Sequence, residues 1–203
     1  GCGAGAASCC LGTRVPGLVL DGIEIQPAYA TLARRNLSEN GLQGTVWGGD
    51  LSAPPAELRQ RSYDHVIANP PYFEPGKRIG ADDAGREIAL AGETPLADWV
   101  GFAARRLKPK GYATFIQRAE RLPDLLAAMA VHLGAVELLP LLPRAGRAPR
   151  LILVRARKDG RAPFRFHAGA VIHAGASHQE PGTHYTPLFE EILLRSGPLP
   201  FSR

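Results

Sequence analysis

The chain has 203 residues, 45% hydrophobic and 21% charged, with a net charge of +5 and a pI near 9.4. That length suits one compact domain with a sizeable core, and the composition is that of a globular protein. No stretch approaches the roughly 18 consecutive apolar residues of a membrane-spanning helix, which argues against a membrane protein.

In chain order, the first residues form a glycine-rich loop, Gly-Cys-Gly-Ala-Gly, with a short helix expected near residues 6–11. Residues 17–25 (GLVLDGIEI) read as a buried strand. Pro27 suits a first helical position, and residues 28–40 carry apolar side chains at helical spacing until Gly41 stops them. A short strand at 44–49 runs to Asp50, and another at 63–68 (YDHVIA) runs into Asn69-Pro70-Pro71-Tyr72. Next come a helix over 96–107, ended by Lys-Pro-Lys-Gly, and a strand over 112–117. A helix over 122–133, strands over 136–142 and 151–157, and a last helix over 188–194 complete the pattern. Segments 76–95 and 174–187, rich in Gly, Asp, Ala and Thr, read as loops. Strands alternating with helices predict an α/β fold built on a mostly parallel sheet. A glycine loop ordinarily follows a strand, so a strand before Gly1 is expected in the full protein.

Gly1, Gly3 and Gly5 suit a chain that turns sharply and lets a ligand approach its backbone. The helix after them would aim its positive end at that ligand. Glu24 stands 19 residues beyond Gly5 at the end of the second predicted strand, where a carboxylate can accept from both ribose hydroxyls. Asp50 ends the next strand, where it could accept from an adenine amino group. Each carboxylate taken singly could equally be a turn or helix-capping residue. Ligands of open α/β sheets bind outside the carboxyl ends of the strands, where these features converge, yet a nicotinamide dinucleotide fits them as well.

Asn69-Pro70-Pro71-Tyr72 is more specific. Two consecutive prolines fix φ and remove two N–H donors, leaving a rigid run of acceptors. A planar amino nitrogen is a poor nucleophile until acceptors grip its hydrogens and pull it towards tetrahedral geometry. The Asn69 side-chain oxygen and the Pro70 carbonyl supply two such acceptors, and Tyr72 can stack on a flat target. The ordinary alternative is a Pro-Pro turn closing a strand.

In the order GCGAGAAS, GIEIQP, GGD and VIANPPYF, the chain resembles the class I methyltransferases of the (N/D)PP(Y/F) group. Within it, the IEIQP and NPPYF segments, the Trp99 helix and the basic strand 151–157 are most similar to the bacterial tRNA1(Val) adenine-N6 methyltransferase family. The resemblance implies a Rossmann-like, mostly parallel seven-stranded sheet with helices on both faces, its first strand absent from this chain. It spans residues 1–160 as one methyltransferase domain, with 161–203 a C-terminal extension of the same domain. It implies S-adenosylmethionine as cofactor, with S-adenosylhomocysteine as product. Gly1, Gly3, Gly5, Glu24, Asp50 and Asn69 would hold the cofactor. Asn69, Pro70 and Tyr72 would act on the target amino group, and Pro71, Tyr72 and Phe73 would contact the substrate. No general base is needed, because the donor is a sulfonium cation and catalysis rests on position and electrostatics.

The implied substrate is the N6 amino group of adenine in RNA, tRNA near the anticodon first among them. Protein glutamine N5, guanine N2 and DNA adenine N6 use the same amino-gripping turn and stay open, as does an idle RNA-binding protein. Between residues 140 and 167, eight cations (Arg144, Arg147, Arg150, Arg155, Arg157, Lys158, Arg161 and Arg165) face the single acid Asp159, an excess that draws polyanions. Arg78 and Arg86, in the loop after the NPPY turn, are candidates for phosphate contact. Trp99 sits at helical spacing with Leu96, Ala103 and Leu107 and reads as core. No histidine stands at metal-ligand spacing from Cys2, Cys9 or Cys10, so no metal is expected. The clustered cysteines and the lack of a basic leader suit a cytoplasmic protein. The oligomeric state is not legible.

Overall fold

The computed structural model describes residues 1–72, 94–175 and 184–201. Phe73, Arg78 and Arg86, with most of the two segments read as loops, lie outside the described residues.

Helix α1 (Ala6–Arg14) follows the glycine loop and leads to strand β1 (Gly22–Glu24), helix α2 (Pro27–Glu39) and strand β2 (Val46–Gly48). Strand β1 is shorter than its apolar run suggests. Val19 makes only an isolated bridge to Gln43 and is 60% exposed, so the run's early residues lie outside the ladder. A helical turn α3 (Ala56–Arg59) precedes strand β3 (Tyr63–Ala68). Helix α4 (Leu96–Arg106) runs directly into strand β4 (Leu107–Arg118), longer at its start than expected. There Lys108-Pro109-Lys110-Gly111 bulges out, with Lys110 at φ 65°, before the ladder resumes at His65 and Tyr112. Helix α5 (Leu122–His132) and strands β5 (Gly134–Leu142) and β6 (Leu151–Arg157) follow as expected. Short strands β7 (Arg165–Phe166) and β8 (Ala170–Val171), then helix α6 (Pro187–Arg195), end the chain.

Among the described residues the strands form two sheets. Parallel β1 and β2 make one; the other runs β3-β4-β6-β5-β7, with β8 also on β5. The larger sheet is mixed: β6 lies antiparallel to both β4 and β5, while β3 is parallel to β4, and β7 and β8 to β5.

Period-two alternation sorts the side chains of β4 and β6. Ala113, Phe115, Ile152 and Val154 turn to a core closed by Val100, Ala103, Leu125 and Met129 of α4 and α5. A smaller core joins Ala30, Ala33 and Leu37 of α2 to Val46 of β2.

Asp21 connects the two sheets. Its side chain, 3% exposed, accepts from the Thr45 amide at 2.8 Å, the Tyr63 hydroxyl at 2.9 Å and the Arg61 guanidinium at 3.0 Å. Burial, followed by the bond to Asp21, pushes the Tyr63 phenol well above its usual range. This clasp holds the start of β1 near the start of β3.

Candidate active site

Glu24 and the glycine loop fold as one unit. The buried Glu24 accepts from the Gly3 amide at 2.8 Å through one carboxylate oxygen and from the Gln26 amide at 3.0 Å through the other. The Cys2 amide donates to the Ile23 carbonyl at 2.9 Å, and the Asn36 side chain of α2 donates to the Ala4 carbonyl at 2.8 Å. Gly5, at φ 83°, stands just before α1, where a Cβ would press on the Ala33 backbone at 3.3 Å. Gly3, at φ 54°, has nothing within 4 Å of where a Cβ would be, so open space lies before the loop. Burial pushes the Cys2 thiol up from its ordinary range.

Asp50 lies two residues beyond β2, close to Glu24 because the Gly49 amide donates to the Glu24 carbonyl at 2.9 Å. One Asp50 oxygen accepts from the Ser52 amide at 2.8 Å, the turn role that its position also allowed. A carboxylate offers about four acceptor sites, so Glu24 and Asp50 both retain capacity for a ligand.

Trp99 does more than fill the core. It packs against the main core, yet its ring edge would also meet a Cβ on Gly1 at 3.3 Å. Its indole N–H is buried with no hydrogen-bond partner among the described residues. Helical spacing alone assigns Trp99 to the core; contact with the glycine loop is a tertiary fact.

Asn69 to Tyr72 continue from the carboxyl end of β3. Asn69 is exposed, Pro70 is buried, and Pro71 and Tyr72 are half-buried. Beneath them lies Gln117 of β4, fully buried, whose side-chain nitrogen donates to the Pro71 carbonyl at 3.4 Å. Its oxygen accepts from the Arg118 amide at 2.8 Å. Nothing in the sequence singles out Gln117, because a lone glutamine near a strand end reads as surface. Gly1, Gly3, Glu24 and Asp50 are thus drawn together, and Asn69, Pro70, Pro71 and Tyr72 form a second group beyond the carboxyl end of β3. No hydrogen bond joins the two groups among the described residues.

The cradle fits an adenosyl ligand: open space before Gly3 and two carboxylates with spare acceptors. Residues 1–137 match the methyltransferase small domain family. The chain belongs to that family. It is 29% identical over 204 residues to the tRNA1(Val) (adenine(37)-N6)-methyltransferase of Porphyromonas gingivalis, covering 97% of this chain and 78% of that one. A ribosomal RNA small subunit methyltransferase C of Alcanivorax borkumensis is 36% identical over 91 residues, 45% of this chain and 26% of its own. The crystal structure of a predicted O-methyltransferase from Agrobacterium tumefaciens matches with a TM-score of 0.74 at 24% identity, covering 95% of this chain and 85% of that one. At that identity the likeness speaks for the fold alone, the Rossmann-like fold of class I methyltransferases. Membership of the methyltransferase family implies S-adenosylmethionine as the methyl donor. Among the described residues no cluster of His, Cys, Asp or Glu could hold a metal, and no helix is long and apolar enough to cross a membrane.

Proposed function

We propose that this methyltransferase modifies the N6 amino group of adenine in RNA, with tRNA near the anticodon as its target. The observation that carries the reading is the NPPY turn at the end of β3, backed by the buried Gln117. Its support from relatives is the likeness, along nearly the whole chain, to an enzyme named for adenine N6 of tRNA1(Val). Asn69 and the Pro70 carbonyl grip the two amino hydrogens, Tyr72 stacks on the base, and Pro71 and Phe73 are further substrate-binding candidates. Gly1, Gly3, Gly5, Glu24, Asp50 and Asn69 hold S-adenosylmethionine, which supplies an electrophilic methyl group. Because the target nitrogen is inaccessible in a stacked helix, the base must be looped or flipped out. The pairing of β7 and β8 with β5 supports assigning 161–203 to the same domain as 1–160. The three free cysteines suit a cytoplasmic setting.

The test incubates the protein with labelled S-adenosylmethionine and unmodified total tRNA, then identifies the nucleoside by mass spectrometry. Labelled N6-methyladenosine that disappears in Asn69→Ala is the expected result. Cofactor binding without transfer to any RNA would overturn the reading and favour a protein amide.

A further inference from the structure

The eight cations between residues 140 and 167 form one block in the sequence, but the fold sends them to two opposite ends of the sheet. Strand β6 runs antiparallel to β4, with Leu151 opposite Arg118 and Arg157 opposite Tyr112. The turn before β6 therefore lies at the edge that carries the NPPY turn. Residues that immediately follow β6 lie at the other end, roughly 20 Å away for a strand of this length, and Arg165 of β7 stands level with Arg155, towards that end.

Half of the eight are already engaged. Arg144 is buried and donates to the carbonyls of Ala174 and Gly175. Arg155 pairs with Glu137 at 2.8 Å, Arg157 donates to the Lys110 carbonyl at 3.0 Å, and Lys158 to the Leu107 carbonyl at 2.7 Å. Four remain exposed without a side-chain partner among the described residues: Arg147 and Arg150 at the NPPY edge, and Arg161 and Arg165 at the far end.

Arg147 and Arg150 also sit on a fixed backbone. The Ala119 amide donates to the Arg150 carbonyl at 2.9 Å, tying the turn to the end of β4. The Arg147 amide donates to the Arg144 carbonyl at 3.2 Å, and Arg144 is anchored below. The turn, Pro-Arg-Ala-Gly-Arg-Ala-Pro-Arg over 143–150, contains no acid. Since β6 lies two strands from β3, it stands about 10 Å from the NPPY strand, within reach of nucleotides flanking a base held there.

We propose that the β5–β6 turn, through Arg147 and Arg150, is the ridge on which the phosphates of the substrate strand dock beside the target base. The proposal rests on RNA being the substrate. Exposed guanidinium groups on a turn whose backbone is tied down and whose own residues include no acid suit phosphate recognition, and they position the strand without reading its sequence.

The experiment compares Arg147→Ala/Arg150→Ala with the charge-matched pair Arg161→Ala/Arg165→Ala, using unmodified total tRNA across a salt series. For the first pair, KM for tRNA rises about tenfold, and the slope of log Kd against log salt falls by about 1.4 to 1.8. Its kcat at saturating tRNA and its affinity for S-adenosylmethionine stay within twofold of the parent. Arg147→Lys/Arg150→Lys regains most of the slope, which shows that charge at this turn matters. The far-end pair leaves all of these near parent values. Equal losses in both pairs, or no loss in the first, would overturn the ridge while leaving RNA methylation standing. A parent protein that transfers no methyl group to RNA would instead remove the functional reading on which the ridge rests.

Discussion

The side-chain amide of Gln117 faces the carbonyl of Pro71 across 3.4 Å, joining the end of β4 to the turn that follows β3. This support comes from beneath, in a position with no solvent exposure. Replacing Gln117 with Leu keeps the volume but leaves the Pro71 carbonyl and the Arg118 amide without their partners. The expected result is a kcat about tenfold lower, equivalent to about 1.4 kcal/mol, with cofactor affinity within twofold. Steady-state kinetics beside calorimetric titration of the cofactor checks it. Equal weakening of both quantities would mean that Gln117 supports the fold in general, not the turn.

Glu24 receives one amide on each carboxylate oxygen. In Glu24→Gln, one of those amides meets an N–H₂ group in place of an acceptor. The variant should lose roughly 1–3 kcal/mol of stability by denaturant titration, and cofactor affinity should fall at least tenfold. Unchanged cofactor affinity in a folded variant would remove Glu24 from the binding site.

Tyr63→Phe tests the clasp between the sheets. The phenol donates to a buried carboxylate, so its loss should cost roughly 1–3 kcal/mol in urea unfolding. Tyr63 lies at the far end of β3 from the NPPY turn, so cofactor affinity and kcat should stay within twofold.

The Glu137 carboxyl responds to acid. Burial raises its pKa, but the Arg155 and His167 hydrogen bonds, at 2.8 and 2.9 Å, outweigh burial and hold it below the ordinary carboxylate range. A depressed folded-state pKa stabilises the fold above the unfolded-state value, and that contribution is lost as pH falls through the folded-state value. Unfolding followed from neutral pH into the acid range should show a decline that is shallower in Glu137→Gln. Parallel profiles would mean that other carboxylates set acid stability.

Apolar periodicity makes most of the framework legible in the sequence, and strand 151–157 and the helix after Pro27 stand where it puts them. It overextends β1, because Leu18 and Val19 are apolar yet lie outside the ladder. Glu24, Asp50 and the NPPY residues are legible from their places after strands, since strand ends are where α/β folds collect ligands. Asp21, Gln117 and Arg144 are hidden for a shared reason. Each is a single polar residue buried by contacts with segments distant in sequence, and local pattern carries no trace of such contacts. The basic block misleads similarly, as one antiparallel strand separates cations that lie close along the chain.

Pro70 and Pro71 carry a last consequence. Two tertiary amides in succession give the turn oxygen lone pairs and no backbone hydrogen at either position, so its donors are left to Asn69 and Tyr72. An amino group approaching Pro70 finds an acceptor, whereas an anionic oxygen finds no backbone donor there. The turn thus sorts what approaches by polarity before it sorts by shape. On the proposed function, the amino group of the base meets the prolines and the phosphates stay away from them.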